Sequence, residues 1–206
     1  MRMHCRRRPA IDFVARMAGF ALALGLIAPP AFAALESAPI VDVVQDRHGA
    51  SGSVHGSVDI DAPPATVWRV LLDCAEAPRL MVNLKSCRIT RQDLAGHWDE
   101  REQITRGSLL PGIRTVVHAD YDAQWRIRFH RIDGDFKVLE GEWRLESLDG
   151  GVRTRVSYDS RVTPSFLAPG LIVRSVLRHD MPLTLVHLRD ACEAEAAAPP
   201  GAAGRP

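Results

Sequence analysis

Every second residue from Val117 to Phe129 is apolar or aromatic: Val117, Ala119, Tyr121, Ala123, Trp125, Ile127 and Phe129. Between them stand His118, Asp120, Asp122, Gln124, Arg126 and Arg128, with His130 just beyond. Side chains of an extended chain alternate between two faces. The pattern therefore predicts one long β-strand over 115–131, ending near Asp133-Gly134, with one dry and one wet face.

The same alternation recurs on both sides. In SVHGSVDID, Val54, Gly56, Val58 and Ile60 oppose His55, Ser57 and Asp59. SCRITRQDL, HWDEREQIT, FKVLEGEWRLES and VRTRVSYDSRV read as further strands, separated by turn residues such as Ala95-Gly96 and the stretch LDGG. Leu139, Gly141, Trp143 and Leu145 share one face, and so do Val156, Tyr158 and Val162. PIVDVVQD offers an earlier extended piece. Two segments change period. APPATVWRVLLDCAEAPRLM places Val67, Trp68, Leu71 and Leu72 on one helical stripe, with Asp61 as candidate cap, Pro63 and Pro64 in the first turn and Pro78 ending or kinking the helix. Near the C-terminus, Leu177, Met181, Leu185 (or Thr184), Leu188 and Cys192 recur at three- and four-residue steps, with Arg174, Arg178, Asp180 and Arg189 mostly off that stripe and Pro182 inside the helix.

The order is strand, helix, antiparallel strands, long helix. A sheet with one dry face must cover it, and only the terminal helix is long enough. The expected class is α+β, a curved antiparallel sheet gripping the C-terminal helix.

The ends of the chain lie outside that scheme. Arg6, Arg7, Arg8 and Arg16, an apolar run of 12 residues from Met17 to Ala28, and Ala31-Phe32-Ala33 have the form of a secretory signal peptide. The expected organisation is a signal peptide at 1–33, a tether at 34–50, the folded domain at 51–193 and a disordered Ala/Pro/Gly-rich tail at 194–206. Cleavage removes five Arg and one Asp and takes the net charge from +1 to about −3, which does not favour nucleic acid as a partner. The expected location is periplasmic or secreted.

Export changes the reading of the cysteines. Cys74–Cys87 is the preferred disulfide pair among Cys74, Cys87 and Cys192; three buried thiols is the competing reading. No CxxC, GxSxG, HExxH, Walker loop or GxGxxG occurs. His179 and His187 alone make a poor metal site, so neither metal nor cofactor is expected. In WDEREQ, alternation sends Glu100 and Glu102 one way and Asp99 and Arg101 the other; an inward carboxylate could act as acid or base.

The strand entering DAPPATVWRVLLD, the meander with GEWRLE and the terminal LRHDMPLTLVHLRDACE together resemble the START-like, helix-grip superfamily. More narrowly they resemble its polyketide cyclase/dehydrase and coenzyme Q-binding branch. The resemblance spans about 51–193 and lies in element order rather than in a catalytic motif. It implies a seven-stranded-type sheet around a long helix with a deep apolar cavity between them, able to hold lipids, sterols, quinones or polyketides. On that basis Tyr121, Trp125, Phe129, Trp143, Tyr158, Leu177 and Met181 are the expected cavity lining, with Gly141, Ala119 and Ala123 leaving room. Tyr121 and Tyr158 would orient a polar head group. Phe166, Leu167 and Leu171, in a Pro/Gly-containing stretch before the last helix, are the expected gate, in transient contact with membrane. The leading expectation is a non-enzymatic binder or carrier of a hydrophobic small molecule. The alternative is a cyclase- or dehydratase-type enzyme using Glu100, Glu102 or a tyrosine. An interaction module is a third.

Overall fold

The computed structural model describes residues 38–45, 51–106, 112–165 and 170–198. Among them, eight strands form one antiparallel sheet: β1 (Ile40–Gln45), β2 (Gly52–Ile60), β3 (Leu84–Gln92), β4 (Trp98–Thr105), β5 (Ile113–Asp122), β6 (Arg126–Gly134), β7 (Phe136–Leu148) and β8 (Arg153–Pro164). Their spatial order is β1-β2-β8-β7-β6-β5-β4-β3. Helices α1 (Pro64–Leu72) and α2 (Ala77–Leu80) connect β2 to β3, and α3 (Gly170–Ala197) follows β8. This is the helix-grip arrangement, with one strand more than the seven-stranded type. That strand, β1, lies inside the expected tether and pairs with β2 from Ile40↔Ser57 to Gln45↔Gly52. Helix α3 likewise runs four residues into the expected tail. The expected signal peptide lies outside the described residues.

The long strand expected over 115–131 is a hairpin. The chain turns at residues 123–125, with Gln124 at φ 58, and β5 and β6 pair from Asp122↔Arg126 to Ala119↔Phe129. In an antiparallel pair the two residue numbers have a constant sum, here 248. The sum is even, so partners share parity and the alternation continues through the turn unbroken. Trp125 keeps the parity of the dry face but sits in the turn, 52% exposed.

Helix α1 begins at Pro64, whose fixed φ and missing N–H suit a first helical position. Pro63, not Asp61, is the capping residue, and it makes no side-chain capping bond. Asp61 instead accepts from Arg153 Nε at 2.6 Å, and its backbone N–H donates to Glu193 Oε1 at 2.9 Å. The helix ends before Pro78 comes into play: the Asp73 carboxylate accepts from the N–H groups of Ala75 (2.9 Å) and Glu76 (3.2 Å), turning the chain. Pro78 then opens α2. The structure joins Cys74 to Cys87 by a disulfide with Cα atoms 5.3 Å apart, tying this connection to edge strand β3; Cys192 is a buried free thiol.

The terminal helix seats its predicted stripe. Leu185, Leu188 and Cys192 are fully buried against Val58, Ile60, Val67 and Val156. A Cβ at Gly56 would stand 3.0 Å from Leu185 Cδ1, so glycine permits this close approach of helix to sheet. Two arginines expected off the stripe are on it or beside it: Arg189 is buried and Arg174 half-buried.

Candidate functional site

Between the sheet and the helices lies a cavity of about 160 Å3. Each wall follows from a sequence pattern. Leu71 and Leu72 come from the α1 stripe, Leu80 and Met81 from α2 and its end, and Thr184 and Leu188 from α3. The sheet supplies Val117, Ala119, Ile127, Phe129, Leu139 and Trp143, all from positions of inward parity, together with Tyr158. Met81 and Gln103 stand together on the lining, with Gln103 Nε2 3.9 Å from Met81 Sδ.

The expected lining residues divide. Phe129, Trp143 and Tyr158 line the cavity. Their rings pack in series, Trp143 tilted at 49° to Tyr158 with centroids 4.4 Å apart and Phe129 near-parallel to Tyr158 at 6.0 Å. Leu177 and Met181 pack beside them on a cluster built on Val43, Val54 and Tyr158. Tyr121 stands behind the wall, its ring edge-on to Trp68 at 6.0 Å. Trp125 is excluded, because the hairpin turn carries it into solvent. The space above Gly141 is taken by the β8 backbone and the Phe129 ring: an added Cβ would be 2.8 Å from Ser160 Cα and 2.9 Å from Phe129 Cζ, and closer still to the Asp159 carbonyl. Of the small residues expected to leave room, Ala119 lines the cavity and Ala123 sits exposed in the turn. Leu171, at the start of α3, is 77% exposed, while Phe166 and Leu167 lie outside the described residues.

The charged set that turns inward on β4 is Asp99 and Arg101. Arg101 Nε donates to Asp99 Oδ1 at 3.0 Å, and its Nη2 donates to Asp99 Oδ2 at 2.6 Å and to the Tyr121 hydroxyl at 2.8 Å. Both charged residues are buried, and Arg101 reaches the cavity wall. Burial alone would lower the pKa of the guanidinium, but the bonds to Asp99 and Tyr121 outweigh it and hold the group above its ordinary value. Burial pushes the Tyr121 phenol up, against the opposing charge of Arg101, so it stays protonated at neutral pH. The Tyr158 phenol is pushed up by burial as well.

Glu100 and Glu102, the candidate acids and bases, face outward and are engaged there. Glu100 Oε1 accepts from Arg91 at 3.0 Å; Glu102 accepts from Arg88 at 2.9 Å and from Arg114 at 2.7 Å. The bonds from Arg114 and then Arg88 hold the Glu102 carboxyl below the usual range. Hydropathy points the wrong way on this strand, because its one aromatic residue is outside. Trp98 stacks on His118 at 5.1 Å and lies under Arg91 at 5.8 Å. Alternation alone named the pair Asp99 and Arg101; the Tyr121 hydroxyl on the neighbouring strand bonds it on the inner side. Among the described residues, no group of His, Cys, Asp and Glu is placed to hold a metal ion. No described helix is long and apolar enough to cross a membrane.

Comparison with solved structures gives the same architecture at low identity. The STAR-related lipid transfer protein of Xanthomonas axonopodis matches with a TM-score of 0.64 and 17% identity, over 76% of this chain and 94% of that one. The Zhui aromatase/cyclase of Streptomyces sp. R1128 matches with a TM-score of 0.57 and 17% identity, over 71% and 93%. A START superfamily protein of Mycobacterium smegmatis matches with a TM-score of 0.57 and 21% identity, over 70% and 96%. At these identities the likeness establishes the fold. No curated protein matches the sequence. The family model described as polyketide cyclase / dehydrase and lipid transport matches residues 60–189, from the end of β2 into the last turns of α3. The chain belongs to that family.

Proposed function

We propose that the protein binds a hydrophobic small molecule in the cavity between sheet and α3 and carries it, shielded from water, in the periplasm or outside the cell. The observation that carries this reading is an apolar cavity with a single cation, Arg101, in its wall. The location is supported by the signal-peptide pattern at 1–33 and by the disulfide. The solved structures that it resembles include a lipid transfer protein and an aromatase/cyclase.

Size narrows the ligand. About 160 Å3 is close to the roughly 150 Å3 that encloses benzene in an engineered cavity, and below the roughly 300 Å3 at which pockets enclose whole drug-sized molecules. The enclosed part is then one ring or a short alkyl segment, and the rest of a lipid, quinone or polyketide-like molecule extends past the rim. Burying about 200 Å2 of apolar ligand contributes about 5 kcal/mol before immobilisation costs. Micromolar affinity needs about 8 kcal/mol, so a polar anchor is required. Arg101, fixed by Asp99 and Tyr121, supplies one. An enzyme of cyclase or dehydratase type would use the same guanidinium to stabilise a developing enolate. The candidate bases among the described residues are not free for it: Glu100 and Glu102 are outside, Tyr121 is held protonated and Asp99 is bound to Arg101.

The test is organic extraction of the purified mature protein followed by mass spectrometry, beside an Ala119→Phe variant that fills the cavity and whose folding is checked by circular dichroism. An apolar compound should be present in the wild type and absent from the variant. A wild-type extract no richer than buffer, from a protein that also fails to bind added naphthalene-sized probes, would refute the reading.

A further inference from the structure

Two more arginines stand at inward positions beyond the cavity lining, and among the described residues neither makes an ion pair. Arg131 has the inward parity of Phe129 on β6, and its cross-strand neighbour Val117 lines the cavity. Its Nη2 donates to the Gly134 carbonyl at 3.1 Å, while its Nε is buried without a hydrogen-bond partner. The carboxylate that feels Arg131 is Asp133, which is exposed and bonded to Arg114 Nη1 at 2.7 Å. Arg174 lies on α3 one turn before Leu177, on the stripe that continues through Met181, Leu185 and Leu188. Its Nε is also buried and without a partner.

The two lie at the same level of the groove. Asp61 at the end of β2 meets Glu193, and Gly56 meets Leu185 and Met181, so β2 and α3 run side by side in the same direction. Stepping from Gly56 back to Gly52 covers about 13 Å of strand, equal to about nine helical residues, and arrives near Arg174. Gly52 pairs with Val162, which pairs with Leu139, and Leu139 is the next inward position of β7 beyond Gly141, the partner of Phe129. Arg131 is the next inward position of β6 beyond Phe129. Arg174 therefore stands on the helix at the level where Arg131 stands on the sheet, three strands across from β2. Leu177 and Val54, at this level, pack on the cluster that holds the aromatic series.

Arg101 has its counter-ion in Asp99; Arg131 and Arg174 have none among the described residues. A buried guanidinium Nε without an acceptor, on a group without a counter-ion, is costly, and an anion within reach of both would recover that cost. We propose that the arginines at this end of the groove, Arg131 and Arg174, bind the anionic head of the ligand, a carboxylate or phosphate, while its apolar body enters the cavity beyond Phe129. This rests on the reading of the cavity as a ligand site and assigns that ligand to the acidic amphiphiles.

The test is calorimetric titration of the mature protein with three probes sharing one apolar body: 2-naphthoate, 2-naphthyl phosphate and neutral 2-naphthylmethanol. Arg131→Gln and Arg174→Gln single variants and their double variant are titrated alongside. At least one anion should bind about tenfold or more tightly than the alcohol, and which one does so separates carboxylate from phosphate heads. The double variant should lose that preference to within about twofold while holding the alcohol unchanged. Equal binding of anions and alcohol by the wild type would overturn the assignment and leave the cavity reading standing, as would a preference that survives in the double variant. Binding of none of the three would overturn both. The wild-type comparison involves no variant, so it decides the question even if a substitution prevents folding.

Discussion

Removing Asp99 alone is predicted to be among the most damaging single changes in the sheet. Its carboxylate takes two bonds from Arg101, at 3.0 and 2.6 Å, and the two side chains are only 7% and 10% exposed. In Asp99→Ala the guanidinium keeps one partner, the Tyr121 hydroxyl, and stays between the cavity and the core. Breaking a buried pair from one side costs about 3–5 kcal/mol, because it leaves a charge uncompensated. For a domain of this size that lowers the melting temperature by roughly 10 °C. Replacing both partners, as in Asp99→Leu with Arg101→Met, removes the charge together with its counter-charge. Its cost is confined to repacking and to the Tyr121 hydroxyl, about 1–2 kcal/mol. Urea unfolding of the wild type, Asp99→Leu, Arg101→Met and the double variant closes a thermodynamic cycle, and the coupling energy should exceed about 2 kcal/mol. If Asp99→Ala costs less than about 1 kcal/mol, or the double variant is as unstable as the two singles summed, the pair is not the buried unit described here. The double variant should also bind neutral apolar probes, since the apolar walls are untouched.

Three other outcomes follow from particular residues. Trp125→Ala, in the exposed turn, should change stability by no more than about 0.5 kcal/mol, whereas Trp143→Ala, packed on Tyr158, should cost about 3 kcal/mol; urea midpoints compare them. Burial pushes the Cys192 thiol up to about 12, so in the native protein it should resist alkylation at pH 8 and react on unfolding. The unfolded thiol ionises from about pH 9, so unfolding free energy should fall as pH rises from there toward 12, and Cys192→Ala should lessen that fall. Reducing the Cys74–Cys87 bond, which joins residues separated by 13 positions, should cost about 3 kcal/mol, read as a shift of the unfolding midpoint with and without reductant.

The sequence by itself determined the faces. Period-two and period-three-or-four patterns are local properties of the backbone, so inward Phe129, Trp143, Tyr158, Leu185 and Leu188 were legible without any knowledge of partners. The order of elements, and with it the family, was legible for the same reason. Tertiary structure alone decided what those faces meet. The β5–β6 turn was invisible because a three-residue loop between Asp122 and Arg126 preserves parity, and only strand pairing exposes Trp125. The inward turn of Asp99 and Arg101 was undecided because hydropathy favours no burial of charge; a partner two residues away and a phenol from the next strand make it tolerable. Gly141 reads as empty space in the sequence, but the β8 backbone at Asp159 and Ser160 and the Phe129 ring close over it. In each case the deciding contact joins residues whose proximity comes from packing, which no local period records.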